Sequence, residues 1–99
     1  MKLILKHSFR CPISARARGE VERFLKRHEK EGKHRLAFEL VDVIDNRARA
    51  DEIASQTGIQ HKSPQVMLFD DEVQLIWHAS HRDITREALW EAVEEKEEE

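Results

Sequence analysis

Apolar residues along the chain follow two spacings, and the alternation of these spacings predicts the order of the secondary-structure elements. Short apolar runs predict strands over residues 3–7, 37–43, 65–69 and 74–79. Apolar residues three and four positions apart predict helices from residue 12 to about 30, from about 46 to 57, and from 85 onward. The predicted element order is therefore βαβαββα.

Residues that typically start or stop helices lie at the predicted helix ends. They are Pro12 and Gly32 for the first helix, Asp45 or Asn46 and Gly58 for the second, and Thr85 for the third, where Ile84 is expected to pack on Leu89. The residues expected to face inward are Ile13, Ala17, Val21, Phe24 and Leu25 in the first helix, Ala50, Ile53, Ala54 and Thr57 in the second, and Leu89, Ala92 and Val93 in the third.

The element order limits the topology of the sheet. Two strands joined by a helix pair in parallel through a right-handed crossover, so the first two strands are expected to be parallel and the second to be buried. The last two strands are close enough in sequence to form an antiparallel hairpin. A four-stranded mixed sheet with helices on both faces follows, which is an α/β, thioredoxin-like fold. We expect this domain to span residues 1–93, followed by an acidic, frayed tail over 94–99.

The composition is typical of a globular domain with a charged surface: 39% of the residues are hydrophobic and 37% are charged. No apolar run approaches the roughly 20 residues needed to cross a bilayer. The first residues also lack the apolar region and cleavage site of a signal peptide. We therefore expect a cytoplasmic protein without a membrane partner.

Charge is distributed unevenly along the chain. Residues 1–35 contain eleven Lys or Arg and four Asp or Glu, whereas residues 36–99 contain six and sixteen. A basic segment is one feature of nucleic-acid-binding proteins. Here the basic residues are interleaved with glutamates and few aromatic residues, which favours a solvated helix face and no nucleic-acid partner.

Cys11 is the only cysteine of the chain, so an intramolecular disulfide is excluded. A free cysteine is either an inert thiol packed in the core or a reactive thiol whose partner belongs to another molecule. The cysteine count alone leaves both alternatives open.

The position of Cys11 favours the reactive alternative. The segment Cys-Pro-Ile-Ser lies between the first strand and the first helix, where unpaired backbone N–H groups and the helix dipole stabilise a thiolate. Pro12 suits the first helical position, which needs no N–H donor. Arg10 and Arg16 are expected to lower the pKa of the thiol further. Ser14 stands where a dithiol enzyme has its second cysteine, and its hydroxyl either donates to the thiolate or caps the helix.

Pro64 precedes the third strand, and two isomers are open for its peptide bond. Only about 5–6% of X–Pro bonds in folded proteins are cis. In a thioredoxin fold, however, a cis proline before this strand lies against the cysteine and leaves the preceding backbone free to pair with a bound peptide or thiol. We therefore predict a cis Ser63–Pro64 bond close to Cys11.

His78 and His81 raise the question of a zinc site, together with His7, His61 and Cys11 elsewhere in the chain. Two residues three positions apart on an extended strand point to opposite faces. We therefore expect no metal site and interpret His78 and His81 as surface or packing residues.

Four segments together resemble the monothiol bacilliredoxin family of thioredoxin-like proteins. They are residues 7–14 (HSFRCPIS), 41–44 (VDVI), 57–66 (TGIQHKSPQV) and 77–81 (WHASH). The resemblance implies a cytoplasmic bacterial protein that removes bacillithiol from oxidised client cysteines. It also implies that Cys11 is the attacking thiol, Ser14 its non-resolving neighbour and Pro64 the cis proline of the site. Monothiol glutaredoxins differ, because their Gly-Gly-x-Asp segment corresponds here to Ser-His-Arg-Asp at 80–83.

The expected function is therefore that of a monothiol thiol–disulfide oxidoreductase acting on client proteins, with bacillithiol or a similar small thiol as co-substrate and no tightly bound cofactor. The predicted substrate-binding residues are Arg10, Pro12, His61 and Ser63. The chain is expected to be a monomer or a weak dimer. Two alternatives remain open: an iron–sulfur or metal carrier that dimerises around Cys11, and an adaptor without chemistry.

Overall fold

The structure is a computed structural model and describes residues 1–98. Its strands are β1 (Lys2–His7), β2 (Ala37–Asp42), β3 (Gln65–Phe69) and β4 (Leu75–Ser80), and its helices are α1 (Pro12–Glu31), α2 (Arg47–Thr57) and α3 (Arg86–Glu97). A 3₁₀ turn, His81–Asp83, joins β4 to α3. The predicted order βαβαββα is confirmed, and each predicted strand ends within one residue of the observed one.

The four strands form one mixed sheet in the order β2-β1-β3-β4. β1 pairs with β2 in parallel and with β3 in antiparallel orientation, and β3 and β4 form the predicted antiparallel hairpin. The expectation that the second strand is buried is wrong, because β2 lies at an edge of the sheet. Phe38 and Leu40 are 40% and 43% exposed, whereas Val41 is buried. No strand in the described part of the chain covers the outer side of β2.

Side chains alternate across the central strand β1 and contribute to two separate cores. Leu3 and Leu5 pack with residues of α1 and α3, whereas Ile4 packs on the opposite face with Ala50 and Ile53 of α2. Burying one large aliphatic side chain stabilises a fold by about 1.5–3 kcal/mol, so both faces contribute to stability. The predicted arrangement with helices on both faces of the sheet is confirmed. Within residues 1–98, no helix combines the length and the apolar character that a membrane span requires.

The buried face of α1 differs from the prediction at its start. Ile13 is 42% exposed, so its predicted inward position is wrong. Successive helical residues are rotated by about 100°, and Ile13 therefore cannot share a face with its buried neighbour Ser14. The buried residues of α1 are Ser14, Ala17, Val21, Phe24 and His28.

The predicted caps of the other helices are found. Asn46, rather than Asp45, caps α2 by accepting a hydrogen bond from the backbone N–H three residues later, at 3.3 Å. Thr85 caps α3 in the same way at 3.1 Å. Gly58 ends α2 with φ 71°, a left-handed conformation that glycine adopts without strain.

The end of α3 is held by the loop between α1 and β2. The helix continues to Glu97. The frayed tail predicted over residues 94–99 stays a prediction, and Glu99 lies outside the described residues. The Glu97 carboxylate accepts hydrogen bonds from the backbone N–H groups of Lys33 and His34, at 2.7 and 2.6 Å, and lies 4.0 Å from His28. A run of glutamates carries no pattern that indicates these contacts.

Glu97→Ala is expected to lower the free energy of unfolding by about 1–2 kcal/mol, because two backbone N–H groups lose their acceptor. Glu95→Ala is the matched control, since Glu95 is exposed on the same helix and the two substitutions remove the same charge. We expect the control to change stability by less than about 0.5 kcal/mol. Urea unfolding followed by circular dichroism measures both variants, and equal losses would contradict the role of Glu97.

Candidate active site at the start of helix α1

A tight turn connects β1 to α1 and places Cys11 at the N-cap of the helix. The N–H of Cys11 donates to the carbonyl of Ser8 at 3.3 Å, which closes the turn over Phe9 and Arg10. Cys11 has φ −107° and ψ 123°, the extended conformation typical of an N-cap residue. The residue is partly exposed, so its thiol is not sealed in the core.

The pKa of the Cys11 thiol is lowered from its ordinary value. The main cause is the backbone N–H of Ser14, followed by that of Ile13; the Ser14 hydroxyl adds to the effect, and partial burial opposes it. Sγ makes no capping hydrogen bond with the described residues in the present geometry. The pKa falls because donors in the first turn of α1 stabilise the charged thiolate more than the neutral thiol.

The expected contribution of Arg10 and Arg16 to the pKa of Cys11 is not found. Arg16 donates instead to a backbone carbonyl before α3, at 3.4 Å. Arg10 adds to the lowering of the pKa of Asp42, whose main cause is the backbone N–H of Asp45. The first turn of the helix, rather than a nearby cation, therefore explains the direction of the shift at Cys11.

Of the two roles that the sequence left open for Ser14, its hydroxyl takes only one, because it helps to lower the pKa of Cys11 and does not cap the helix. Its hydroxyl oxygen accepts a hydrogen bond from the backbone N–H of Ser8 at 3.2 Å, which ties the first turn of α1 to the end of β1. The same hydroxyl contributes to the lowered pKa of Cys11. Pro12 is exposed at the start of α1, where it needs no hydrogen-bond acceptor.

The Ser63–Pro64 peptide bond is cis, as predicted. Pro64 is buried directly before β3, and its carbonyl accepts a hydrogen bond from the N–H of His81 at 3.0 Å. Ser63 Oγ and His61 Nδ1 are buried and have no hydrogen-bond partner among residues 1–98. The closeness of Pro64 to Cys11 and the substrate-binding roles of His61 and Ser63 stay predictions.

The two histidines at the end of the β3–β4 hairpin, His78 and His81, are surface residues. His78 lies on β4 and His81 begins the 3₁₀ turn, and both are exposed. In the part of the chain that the structure describes, no group of three or more His, Cys, Asp or Glu side chains is placed to hold a metal ion.

His7, the residue before the active-site turn, has a role that was not predicted from the sequence. It is fully buried, and its Nδ1 accepts a hydrogen bond from the Arg18 guanidinium at 3.3 Å, which assigns the ring proton to Nε2. The ring packs edge-to-face on Phe9 with centroids 4.3 Å apart. Burial, and then Arg18, lower the pKa of His7, whereas Asp42 opposes them. The alternation of Leu3, Leu5 and His7 was the available signal, since it places the histidine on the inward face.

Lys6 and Gln65 form a second group of buried polar residues that the sequence analysis did not identify. They are paired across β1 and β3, and Lys6 Nζ and Gln65 Oε1 have no hydrogen-bond partner within residues 1–98. Burial is the main cause of the lowered pKa of Lys6, and Asp51 opposes it. The sequence carried a signal for this position, because residues two apart on a strand share a face and Lys6 therefore lies on the same side of the sheet as Ile4, the side that α2 covers.

Solved structures share this fold. A thioredoxin-fold protein described as a candidate oxidoreductase has a TM-score of 0.82 and 32% identity, over 92% of this chain and 75% of its own. Thioredoxin 1 from the thermophilic eubacterium Thermosipho africanus TCF52B has a TM-score of 0.72 and 18% identity, over 99% and 96%. A single-site mutant of thioredoxin from Halobacterium salinarum NRC-1 has a TM-score of 0.66 and 20% identity, over 95% and 72%. All three structures show that the chain has a thioredoxin fold. The 32% identical candidate oxidoreductase, together with the site, supports a thiol oxidoreductase.

The family follows from a second comparison. The family model described as monothiol bacilliredoxin BrxC matches residues 1–89. This chain belongs to the monothiol bacilliredoxin family, as its motifs predicted. The matched range includes Cys11, Ser14 and Pro64.

Cys11 is expected to react with iodoacetamide at lower pH than an ordinary cysteine, because its lowered pKa gives more thiolate at a given pH. Ser14→Ala removes one hydroxyl donor and is expected to move the midpoint of this pH dependence upward, because the thiolate loses part of its stabilisation. Arg16→Gln is the control, because Arg16 lies on the same helix but its guanidinium donates to the carbonyl of Ile84. This variant should leave the midpoint unchanged. Intact mass spectrometry over a pH series measures the alkylation rates. A midpoint that changes in Arg16→Gln and not in Ser14→Ala would contradict the conclusion that donors of the first helical turn lower the pKa of Cys11.

The free energy of unfolding is expected to fall as the pH drops from about 7.5 to about 5.5. The pKa values of His7 and His61 are lowered in the fold, mainly by burial. As the pH falls through about 6.5, these histidines therefore take up protons in the unfolded chain but not yet in the folded chain. The stability that they contribute above this pH is lost progressively until the pH reaches their lower pKa values in the folded chain.

Denaturant titrations at several pH values test the contribution of His7. His7→Gln should flatten the pH dependence, and His78→Gln, an exposed control, should not change it. If the free energy of unfolding depended on pH equally in His7→Gln and in the wild type, the contribution of His7 would be refuted.

Proposed function

We propose that this protein removes a low-molecular-weight thiol, bacillithiol or a close analogue, from mixed disulfides on client proteins. Cys11 is the nucleophile. The observation that carries the proposal is a partly exposed cysteine at the N-cap of α1, with a pKa lowered by the donors of the first helical turn. Thiolate, not thiol, is the attacking form in disulfide exchange.

The reaction is a balanced exchange of one disulfide for another. The Cys11 thiolate attacks the sulfur of the small thiol in the mixed disulfide. That sulfur–sulfur bond breaks, the client sulfur leaves as a thiolate with the bonding electron pair, and a new bond joins Cys11 to the small thiol. A second small thiol, as its thiolate, then attacks the small-thiol sulfur of this bond, which frees Cys11 and yields the disulfide of the small thiol.

The lack of a second cysteine supports resolution by an external thiol. A dithiol enzyme expels its bound partner with a neighbouring cysteine, whereas this chain has Ser14 at that position and no other sulfur nucleophile except Cys11. Ser14 supports the thiolate and the turn but cannot form a disulfide. The mixed disulfide on Cys11 therefore persists until a small thiol arrives.

The other predicted site residues contribute binding rather than chemistry in this proposal. Ser63 offers its backbone to the bound disulfide, and His61 and Pro64 line the same approach. Arg10 and Pro12 flank the sulfur along the chain. The exchange needs a pool of reduced small thiols, which is characteristic of the cytoplasm, and we propose that the protein acts there.

A mixed disulfide between bacillithiol and a synthetic single-cysteine peptide tests the function. We expect intact mass spectra to show the bacillithiol mass moving from the peptide to Cys11, followed by its loss when free bacillithiol is added. Cys11→Ser should show neither step. The same peptide carrying glutathione tests the identity of the thiol, because faster transfer of bacillithiol is expected.

An alkylatable Cys11 that accepts neither bacillithiol nor glutathione would refute this function. A brown protein after anaerobic purification, with iron and sulfide bound through Cys11, would indicate the carrier instead.

A further inference from the structure

The outer side of the edge strand β2 has free backbone groups at alternate residues. In the described part of the chain, no strand pairs with this side. The N–H of Val43 donates to the carbonyl of His7 at 3.0 Å, so the odd-numbered residues of β2 bond to β1. Neighbouring residues of a strand direct their backbone groups to opposite sides. Phe38 and Leu40 therefore direct their N–H and C=O groups away from the sheet.

Phe38 and Leu40 also carry apolar side chains that are exposed at this edge. Their partner residues on β1, Leu3 and Leu5, pack with α1 and α3, so the two side chains lie on the face of the sheet opposite α2. Unpaired backbone groups and exposed apolar side chains therefore lie at the same positions. Another β-strand with apolar side chains satisfies both.

β2 lacks the features that usually protect an edge strand, which are unpaired charges, prolines and bulges. It pairs with β1 in an unbroken register over its six residues and contains no proline. Its Glu39 carboxylate is ion-paired with Lys2 and Arg49, each at 2.8 Å. The other edge strand, β4, has a register shift in its pairing with β3, between Leu68 and Phe69. β2 is therefore the edge of this sheet that is suited to accept a further strand.

We propose that β2 pairs in antiparallel orientation with β2 of a second copy of this chain, about a twofold axis at Phe38. Phe38 then faces the same residue of the second copy, and Leu36 faces Leu40 in both directions. The N-terminal ammonium donates to the Arg35 carbonyl at 3.3 Å, so the ladder extends beyond the start of β2 and the backbone groups of Leu36 are also directed outward. Both members of each pair have outward backbone groups, so the two strands form hydrogen-bonded pairs.

Side-chain pairing selects this register and makes the edge complementary to itself. An axis at Glu39 sets two carboxylates directly opposite each other, which is destabilising. An axis at Leu40 sets Phe38 against Asp42. With the axis at Phe38, Glu39 faces Ala37, and the three central pairs on the outer face are apolar. The segment that fits this edge is therefore the same segment of a second copy.

The size of the contact predicts a weak dimer. β2 has six residues, whereas stable interfaces typically have about 20–30 residues a side. The dimer therefore forms at high protein concentration and dissociates on dilution.

The dimer leaves both active-site turns accessible. His7 and Asp42 are paired at the ends of β1 and β2, so the turn that carries Cys11 begins at the Asp42 end of β2. Antiparallel pairing directs the two Asp42 ends away from each other. The two Cys11 residues therefore lie at opposite ends of the paired strands, and the inference does not depend on the proposed function.

Sedimentation equilibrium over a wide range of protein concentration tests the dimer, with a phosphine reductant present to prevent disulfides through Cys11. We expect the mass of the wild type to rise from that of one chain towards that of two. Phe38→Lys is expected to weaken association at least about tenfold, because two ammonium groups meet at the axis and an aromatic pair is lost. A wild type that keeps the mass of one chain up to its solubility limit overturns the inference.

Ile76→Lys is the matched control, since Ile76 is an exposed apolar residue on β4, the opposite edge strand. It introduces the same charge and should leave the association constant unchanged. Equal weakening in Phe38→Lys and Ile76→Lys overturns the inference, because association then depends on net charge or on the other edge.

Amide hydrogen exchange followed by NMR tests strand pairing itself. The N–H groups of Phe38 and Leu40 should exchange more slowly as the protein concentration rises, because they become hydrogen-bonded only in the dimer. The N–H of Glu39 is directed to β1 and should show no such dependence. Association that slows neither outward N–H overturns strand pairing. Protection that appears only when a client peptide is added also overturns the inference, in favour of a client strand at this edge.

Cys11→Ser separates this dimer from one formed through the cysteine. The variant should associate as the wild type does, and loss of association in it would indicate a contact through Cys11 and overturn the inference. In the wild type, the rate of Cys11 alkylation should be the same below and above the concentration at which the dimer forms. A lower rate in the dimer contradicts the placement of the two sites at opposite ends.

Discussion

The hydrogen-bonded junction between β1 and α1 is the constraint on which the rest of the site depends. The turn closed by Cys11 and Ser8, together with the bond from Ser8 to Ser14, fixes where the strand ends and the helix begins. This junction puts Sγ at the only part of α1 where backbone donors lack helical partners. The lowered pKa of the cysteine is thus a property of chain geometry. It needs no dedicated cation and no second sulfur.

The central strand β1 contributes side chains to both hydrophobic cores and also leads into the candidate active site. Its first half, Leu3 to Leu5, contributes apolar side chains to both cores, whereas Lys6 and His7 at its end are buried polar residues. A buried polar atom without a partner is costly, and such local conflicts concentrate at functional sites in natural proteins. Here they lie at the strand end that leads directly into the active-site turn.

Several features could be predicted because they depend on local sequence. Strand spacing, helix periodicity and capping residues act within a few positions, so the element order and the caps of α2 and α3 follow from them. The prediction for Ile13 is wrong because the buried stripe of α1 begins with a serine, and a polar residue gives no hydrophobic signal. The prediction for β2 is wrong because apolar composition does not distinguish a central strand from an edge strand. The end of α3 could not be predicted because its contacts come from a distant loop.

The sequence by itself determined that the protein has one cysteine, that this cysteine lies between a strand and a helix, and that any disulfide it forms needs a partner on another molecule. These properties are fixed by residue identity and nearest-neighbour order. Only the tertiary structure decided on which groups the nearby cations act. Arg10 adds to the lowering of the pKa of Asp42 instead of that of Cys11, and the Arg18 guanidinium donates to His7. Electrostatic interactions depend on distance and burial in three dimensions, and strand pairing sets both.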